Sequence, residues 1–375
     1  MVFKDLGRRI DWFLMGAIGL LLLTGLMTMF TLDGSNTFFW RQITWIGISF
    51  CVMLGVSQID GRVFHRTKVI MTLYGAILGL LGGLFLVGSA FQGAQSWFSL
   101  GALSLQPAEF AKLALILLLA KYFSRRHVEI KRFRHIVVSG AYAGILFLLI
   151  MAQPDFGSAI IVFSIWFGMV LFSGISLRHL AFLAVSGSAV FALLWKFVFA
   201  AYQKARILTF LNPLQDLQGA GYNAYQSMIS VGSGEIFGKG FGYGTQSRLA
   251  FLPEYQTDFM FAAFSEEWGF VGSLMVISLF VFILYRILRV ALVASGNFEK
   301  LYVIGFALFL FAHITIHIGI NVGLLPVTGI TIPFMSYGGT HMLVVFIGLG
   351  ILFAIKGYAR PTHRDATENE FYGIR

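Results

Sequence analysis

Apolar residues in this chain come in long runs, separated by short polar segments that carry most of the charge. A membrane-spanning helix needs about 20 predominantly apolar residues. Runs of that kind fall near 12–31, 38–56, 69–90, 107–123, 136–152, 157–175, 179–199, 259–285, 301–325 and 338–356. The pattern predicts an all-α polytopic membrane protein with about ten transmembrane helices. The fourth and fifth runs are short, and the eighth and ninth are long enough to tilt or to include an interfacial turn. Residues 1–375 read as one integral membrane domain. Within it, 200–258 is a large extracytoplasmic loop between the seventh and eighth spans, and 357–375 is a short cytoplasmic tail.

Charge orients the bundle. With the N-terminus inside, the inner segments collect Lys4, Arg8 and Arg9, then Arg62, Arg66 and Lys68, then a dense cluster from Lys121 to Arg134. Most of the 27 Lys and Arg fall inside on this count, as the topology of membrane proteins requires, and both termini are cytoplasmic. A shift of one span would destroy the asymmetry. Composition agrees: 12% of residues are charged, where a soluble domain has about a quarter. The net charge of +10 is spread in clusters between spans, so it reports topology and implies no nucleic-acid partner. Cys51, the single cysteine, excludes an intrachain disulfide framework and a Cys-based metal site. The first apolar run is long and is followed by further spans, so it reads as an anchor rather than a cleaved signal.

Several segments carry chemistry. Glu109 and Lys112 in Gln106-Pro-Ala-Glu-Phe-Ala-Lys112 lie on one face of the fourth helix, just after Pro107 in its first turn. Charges at membrane depth face a partner or a cavity. Two readings follow: an ion pair that fixes packing, or the wall of a polar cavity open to the outside. Asp155 in Gln153-Pro-Asp-Phe-Gly157 sits at an outer turn and caps the sixth helix. In Leu252-Pro-Glu-Tyr-Gln-Thr-Asp-Phe259, Thr257 or Asp258 is in place to cap the eighth span. Glu254, Asp258, Glu266 and Glu267 bring four carboxylates to the outer mouth of that helix, and Glu254 and Asp258 share a face if the helix begins early. A partly desolvated carboxylate at an interface suits the work of a general base, which makes Asp258 a catalytic candidate.

The Gly-rich stretch Gly232–Gly244 lacks the spacing of a phosphate-binding or dinucleotide-binding loop and reads as a flexible re-entrant or interfacial loop. Lys239, Arg248 and Arg206 are candidates there for an anionic headgroup. His313 and His317, four apart on the ninth span, read as packing histidines because no third ligand is close in sequence. Pro326, Gly329, Pro333 and the Gly338-Gly339 pair break the chain between the last two spans; such backbone is tolerated at depth only when buried or lining a cavity.

Together, the segments Gln106–Lys112, Gln153–Gly157, Gly221-Tyr-Asn-Ala-Tyr-Gln-Ser227, Gly244-Thr-Gln-Ser247, Leu252–Phe259 and Leu325–Gly339 resemble the SEDS family (shape, elongation, division and sporulation) of bacterial peptidoglycan polymerases. The Gly-Thr-Gln-Ser stretch and short termini look more like the elongation branch, RodA, than the division branch, FtsW. Two positions depart from the pattern: His317 stands where FtsW-like members carry Gln, and Tyr255-Gln256 where a basic residue and His are common. The resemblance implies a multi-pass protein of the bacterial cytoplasmic (inner) membrane that polymerises lipid II, an undecaprenyl-pyrophosphate-linked substrate, on the outer face. It implies Asp258 as the essential acid, with Asp155, Glu254, Gln256, Thr257 and Ser336 supporting. Arg41, Arg206, Lys239 and Arg248, together with Lys112 held by Glu109, would meet the pyrophosphate. A divalent cation (Mg or Mn) is a possible cofactor. The implied partners are a class B penicillin-binding protein and other elongation-complex membrane proteins. The alternatives are a lipid II flippase and a non-catalytic scaffold that recruits a transpeptidase.

Overall fold

The protein is described here by a computed structural model covering residues 10–32, 36–87, 89–91, 94–100, 103–125, 133–197, 204, 208–210, 220–249, 251–294 and 296–370. It is an all-α polytopic membrane bundle. The long helices are α1 (Trp12–Leu32), α2 (Thr37–Gln58), α3 (Thr67–Val87), α4 (Pro107–Ser124), α5 (Phe133–Ala152), α6 (Phe156–Phe172) and α7 (Leu177–Phe197). The short α8 (Ala220–Ser233) and α9 (Thr245–Arg248) follow, and then the long α10 (Met260–Val293), α11 (Asn297–Asn321) and α12 (Gly339–Glu370).

Among the described residues, eight helices are long and apolar enough to cross a membrane: α1, α2, α3, α5, α7, α10, α11 and α12. The other two expected spans are the shorter α4 and α6. Helix α4 can carry Glu109 and Lys112 because it runs through the middle of the bundle, against α3, α6 and α11. Every residue from Ala111 to Ala120 is buried, so its apolar side chains meet other helices rather than lipid. Pro107 starts it without losing a hydrogen bond, and Glu109 in the first turn and Lys121 in the last complement the helix dipole.

Three details differ from the hydropathy reading. A small antiparallel sheet joins α3 to α4: β1 (Ser89–Phe91), β2 (Ala94–Leu100) and β3 (Leu103–Leu105), with Phe98 opposite Leu105 and Leu100 opposite Leu103. Helix α10 continues to Val293, past the expected end near 285, and α12 runs on to Glu370. Third, α10 is broken at Gly269 (φ 65°, ψ −163°).

That break explains the Gly-rich stretch. The carbonyls of Glu266 and Glu267 accept the amides of Lys239 and Gly240 at 3.0 Å each. The amides of Phe270 and Val271 donate to the carbonyls of Glu235 (2.9 Å) and Ile236 (3.1 Å). Backbone groups left over by the broken helix are thus paired by the loop, as low-dielectric surroundings demand. Gly238 has to be glycine: its φ is +83°, and a Cβ there would lie 2.1 Å from the Glu267 carbonyl oxygen. The glycines serve close backbone docking, and the loop is bound along its length instead of being flexible.

At the end of the bundle that charge places in the cytoplasm, Asp11 joins the start of α1 to α10 and α12. Its carboxylate meets Arg286 at 2.5 Å and Lys356 at 3.8 Å. Burial alone would raise the Asp11 carboxyl, but the hydrogen bond from Arg286 and the two positive charges outweigh it and hold it below the usual range. A depressed folded-state value means the pair stabilises fully above the unfolded value, about 3.9, and weakens as pH falls through the lower folded one. Asp11→Asn is expected to lower the melting temperature in detergent at neutral pH, with a loss on the order of 2 kcal/mol for a partly buried pair. As pH falls below the unfolded value the difference from wild type should shrink.

Candidate active site

Helix α10 begins without a capping side chain of its own. Its N-cap is Phe259, so neither Thr257 nor Asp258 takes the capping position expected of them. The cap comes from α11 instead. Asn321 Oδ1 accepts the Ala262 amide at 2.9 Å, while its Nδ2 donates to the carbonyls of Asp258 (3.0 Å) and His317 (2.8 Å). Residues 253–259 form turns, not an early start to the helix, so Glu254 and Asp258 do not share a helical face. Glu254, at φ 50°, accepts the amides of Thr257, Asp258 and Phe259 on its carbonyl and the Thr257 hydroxyl on its carboxylate.

The turn is held from the other side by the non-helical segment before α12. The Ser336 hydroxyl donates to the Thr257 carbonyl at 2.6 Å and accepts the Ile332 amide at 3.1 Å. The Tyr337 amide donates to the Gln256 carbonyl at 2.7 Å. Phe334, at φ 68°, is like Glu254 a non-glycine residue in the left-handed region, so each of the two segments that meet around Asp258 carries one strained residue. The Asp258 side chain is partly exposed, and its Oδ2 lies beside exposed Gly329, where a Cβ would approach to 3.5 Å. A carboxylate at the outer end of a span is therefore fixed by its own backbone, with its side chain reaching the surface.

A second polar cluster lies one turn into α4. Lys112 Nζ contacts Glu109 Oε1 at 2.5 Å and His313 Nε2 at 3.3 Å, and His341 Nδ1 contacts Glu109 Oε2 at 2.8 Å. All four side chains are buried. His313 also bonds the Thr331 carbonyl (3.2 Å), and His317 bonds the Ile330 carbonyl (2.7 Å). Both histidines thus hold the segment that carries Gly329, which is more than the packing role expected of them. Asp155 caps α6 through the Ser158 amide (3.0 Å) and also accepts from Gln106 (2.8 Å), the residue before α4. His341 was not foreseen: it follows a chain break and meets Glu109 only through tertiary packing.

The other expected site residues are dispersed. Glu266 and Glu267 are buried and grip the loop instead of lining an outer mouth. Glu266 pairs with Lys239 at 2.7 Å and accepts the amides of Gln246 and Ser247; Glu267 accepts from Gly242 and Thr31. Lys239 is thereby neutralised locally. Arg41, on α2, and Arg248, on α9, are exposed. Arg206 lies outside the described residues. Among the described residues, one group of three His, Asp or Glu brings ligand atoms within 4.8 Å of one another, namely Glu109, His313 and His341. Two imidazoles beside an ammonium do not fit a resident Mg²⁺, which takes oxygen ligands.

The family described as "Cell cycle protein", FtsW/RodA/SpoVE, matches residues 8–361. The chain belongs to this family. Stage V sporulation protein E of Bacillus subtilis (strain 168) is 36% identical over 334 residues, covering 88% of this chain and 89% of that protein. Peptidoglycan glycosyltransferase MrdB of Escherichia coli (strain K12) is 36% identical over 324 residues, covering 86% and 85%. Among solved structures, a chain from a study of how a peptidoglycan synthase complex coordinates polymerization and crosslinking superposes with a TM-score of 0.81, at 28% identity, covering 94% of this chain and 98% of that one. The rod shape determining protein RodA of Thermus thermophilus superposes with a TM-score of 0.70, at 27% identity, covering 92% and 96%. The family resemblance and the fold class read from the sequence both hold.

Proposed function

We propose that this FtsW/RodA/SpoVE-family protein is a peptidoglycan glycosyltransferase of the bacterial cytoplasmic membrane. It polymerises lipid II on the outer face, with Asp258 as general base. The observation that carries the reading is the Asp258 carboxylate itself. It is partly exposed beside Gly329, at the outer end of α10, and its main chain is fixed by Glu254 and Asn321. The acceptor sugar's 4-hydroxyl gives its proton to Asp258 as its oxygen attacks the donor's anomeric carbon. The lipid pyrophosphate leaves with the bonding electrons, and its charge calls for cations. Arg41 and Arg248, both exposed, are the candidate cations for it. Lys112 is buried against Glu109 and His313, so it serves to hold α4 against α11 rather than to meet the pyrophosphate. No step is routed through a divalent ion.

The relatives named MrdB and RodA favour an elongation role, while others are named FtsW and stage V sporulation protein E; the likeness to a chain of a polymerizing and crosslinking complex favours a penicillin-binding protein as partner. A flippase would need ionisable groups along a path through the bilayer, whereas Glu109, Lys112, His313 and His341 gather at one level and neutralise one another. The test is polymerisation in detergent, where there is no membrane to cross. Purified protein with lipid II, alone and with its transpeptidase partner, should yield glycan chains. Absence of product under both conditions would remove the enzymatic reading.

A further inference from the structure

The buried cluster around Glu109 has the chemistry of a cation site, independently of polymerisation. Its ligand-bearing side chains come from three helices: Glu109 from α4, His313 from α11 and His341 from α12. The lone pairs of Glu109 Oε1 and His313 Nε2 already converge on one positive charge, the Lys112 ammonium, at 2.5 and 3.3 Å. His313 is held in the tautomer this requires. Its Nδ1 donates to the Thr331 carbonyl at 3.2 Å, which leaves Nε2 as the acceptor. A ring anchored by a backbone carbonyl in this way is the usual support of a metal-ligating histidine.

His341 completes the set. Its ring centroid is 4.5 Å from that of His313, and its Nδ1 is 2.8 Å from Glu109 Oε2. Its Nε2 is buried and has no hydrogen-bond partner among the described residues. For His341 to act as a ligand its proton moves from Nδ1, where it donates to Glu109 Oε2, to Nε2, and Nδ1 then exchanges that hydrogen bond for the metal. One carboxylate oxygen and two imidazole nitrogens lie within 4.8 Å of one another. Tetrahedral ligands of zinc stand about 3.3 Å apart, so side-chain shifts on the order of 1 Å would close the site. A carboxylate with two imidazoles is the donor set of open zinc centres.

The geometry points to a three-ligand site, formed by Glu109, His313 and His341, that takes a transition-metal ion of the zinc class in competition with the Lys112 ammonium. The two cations use the same lone pairs and repel each other strongly at this separation in a low-dielectric interior, so occupancy is exclusive. Binding of the metal takes both lone pairs from Lys112, which leaves them as the neutral amine with its proton released to solvent, so that no second positive charge stays in the site. The N-terminal ends of α4 and α12 lie within one turn of the site.

The test uses full-length protein in detergent, with its affinity tag removed and stripped by chelator, and zinc ion alone as the probe. Zinc content is read by equilibrium dialysis and elemental analysis, and cobalt substitution reports coordination by its visible spectrum. Wild type should take up to one ion per chain. Lys112→Met, which removes the competitor, should bind about tenfold more tightly or better. His341→Ser should lose at least the roughly tenfold that removal of even an outer-shell partner brings, in both the wild-type and the Lys112→Met backgrounds. Zinc affinity unchanged by His341→Ser, or unimproved by Lys112→Met, overturns the assignment. Should Lys112→Met not give monodisperse protein, equal zinc content in wild type and His341→Ser overturns it alone. Neither readout depends on turnover, so this result stands apart from the polymerase assay.

Discussion

Asp258→Asn is expected to cut the rate of glycan synthesis from lipid II by about 10²–10⁴-fold, the range that a positioned general base contributes. The fold should be spared. The Asp258 amide bonds the Glu254 carbonyl and its own carbonyl accepts from Asn321, so the contacts that fix the turn use the main chain, which the variant keeps. An amide of the same shape fills the space beside Gly329. The check is polymerisation by the purified variant alongside its melting temperature in detergent. A large loss of product with an unchanged melt supports a chemical role. A parallel fall in both would make Asp258 a structural residue.

The second large effect concerns stability. Glu109→Gln leaves the Lys112 ammonium buried beside His313 with no counter-charge, and breaking a buried pair by removing one partner costs about 3–5 kcal/mol. It also takes the carboxylate from His341. The expected result is a markedly lower melting temperature and loss of polymerisation. The double variant Glu109→Gln/Lys112→Met should recover much of the stability, because replacing both ions by neutral groups is often near neutral in cost. It should not recover activity if the charged pair positions α4 for catalysis. A single variant that melts like wild type would show that the pair holds little of the fold.

How much of this was legible in the sequence depends on how local each feature is. The spans were readable because hydropathy and charge asymmetry act along the chain, and the Asp155 cap because it reaches only to Ser158. The cap of α10 was misread because a residue 63 positions away, Asn321, supplies it to Ala262 and the Asp258 carbonyl. Glu266 and Glu267 looked like acids at an outer mouth. They instead face the 235–248 loop, through contacts with residues 20 and 25 positions away that local sequence does not announce. His313 read as packing because its partners, Lys112 and Thr331, come from α4 and the segment before α12. The strands at 89–105 were missed for a simpler reason: Ala94–Leu100 does not alternate strictly and is short beside the apolar runs that flank it.

The most direct measurement on the central claim is the pH dependence of lipid II polymerisation by wild type and Asp258→Asn under single-turnover conditions. If Asp258 accepts the proton, the wild-type rate falls about tenfold per pH unit along its acid limb. The residual rate of Asp258→Asn should lack that limb. An acid limb that persists unchanged in the variant, or a variant as fast as wild type, would contradict the account.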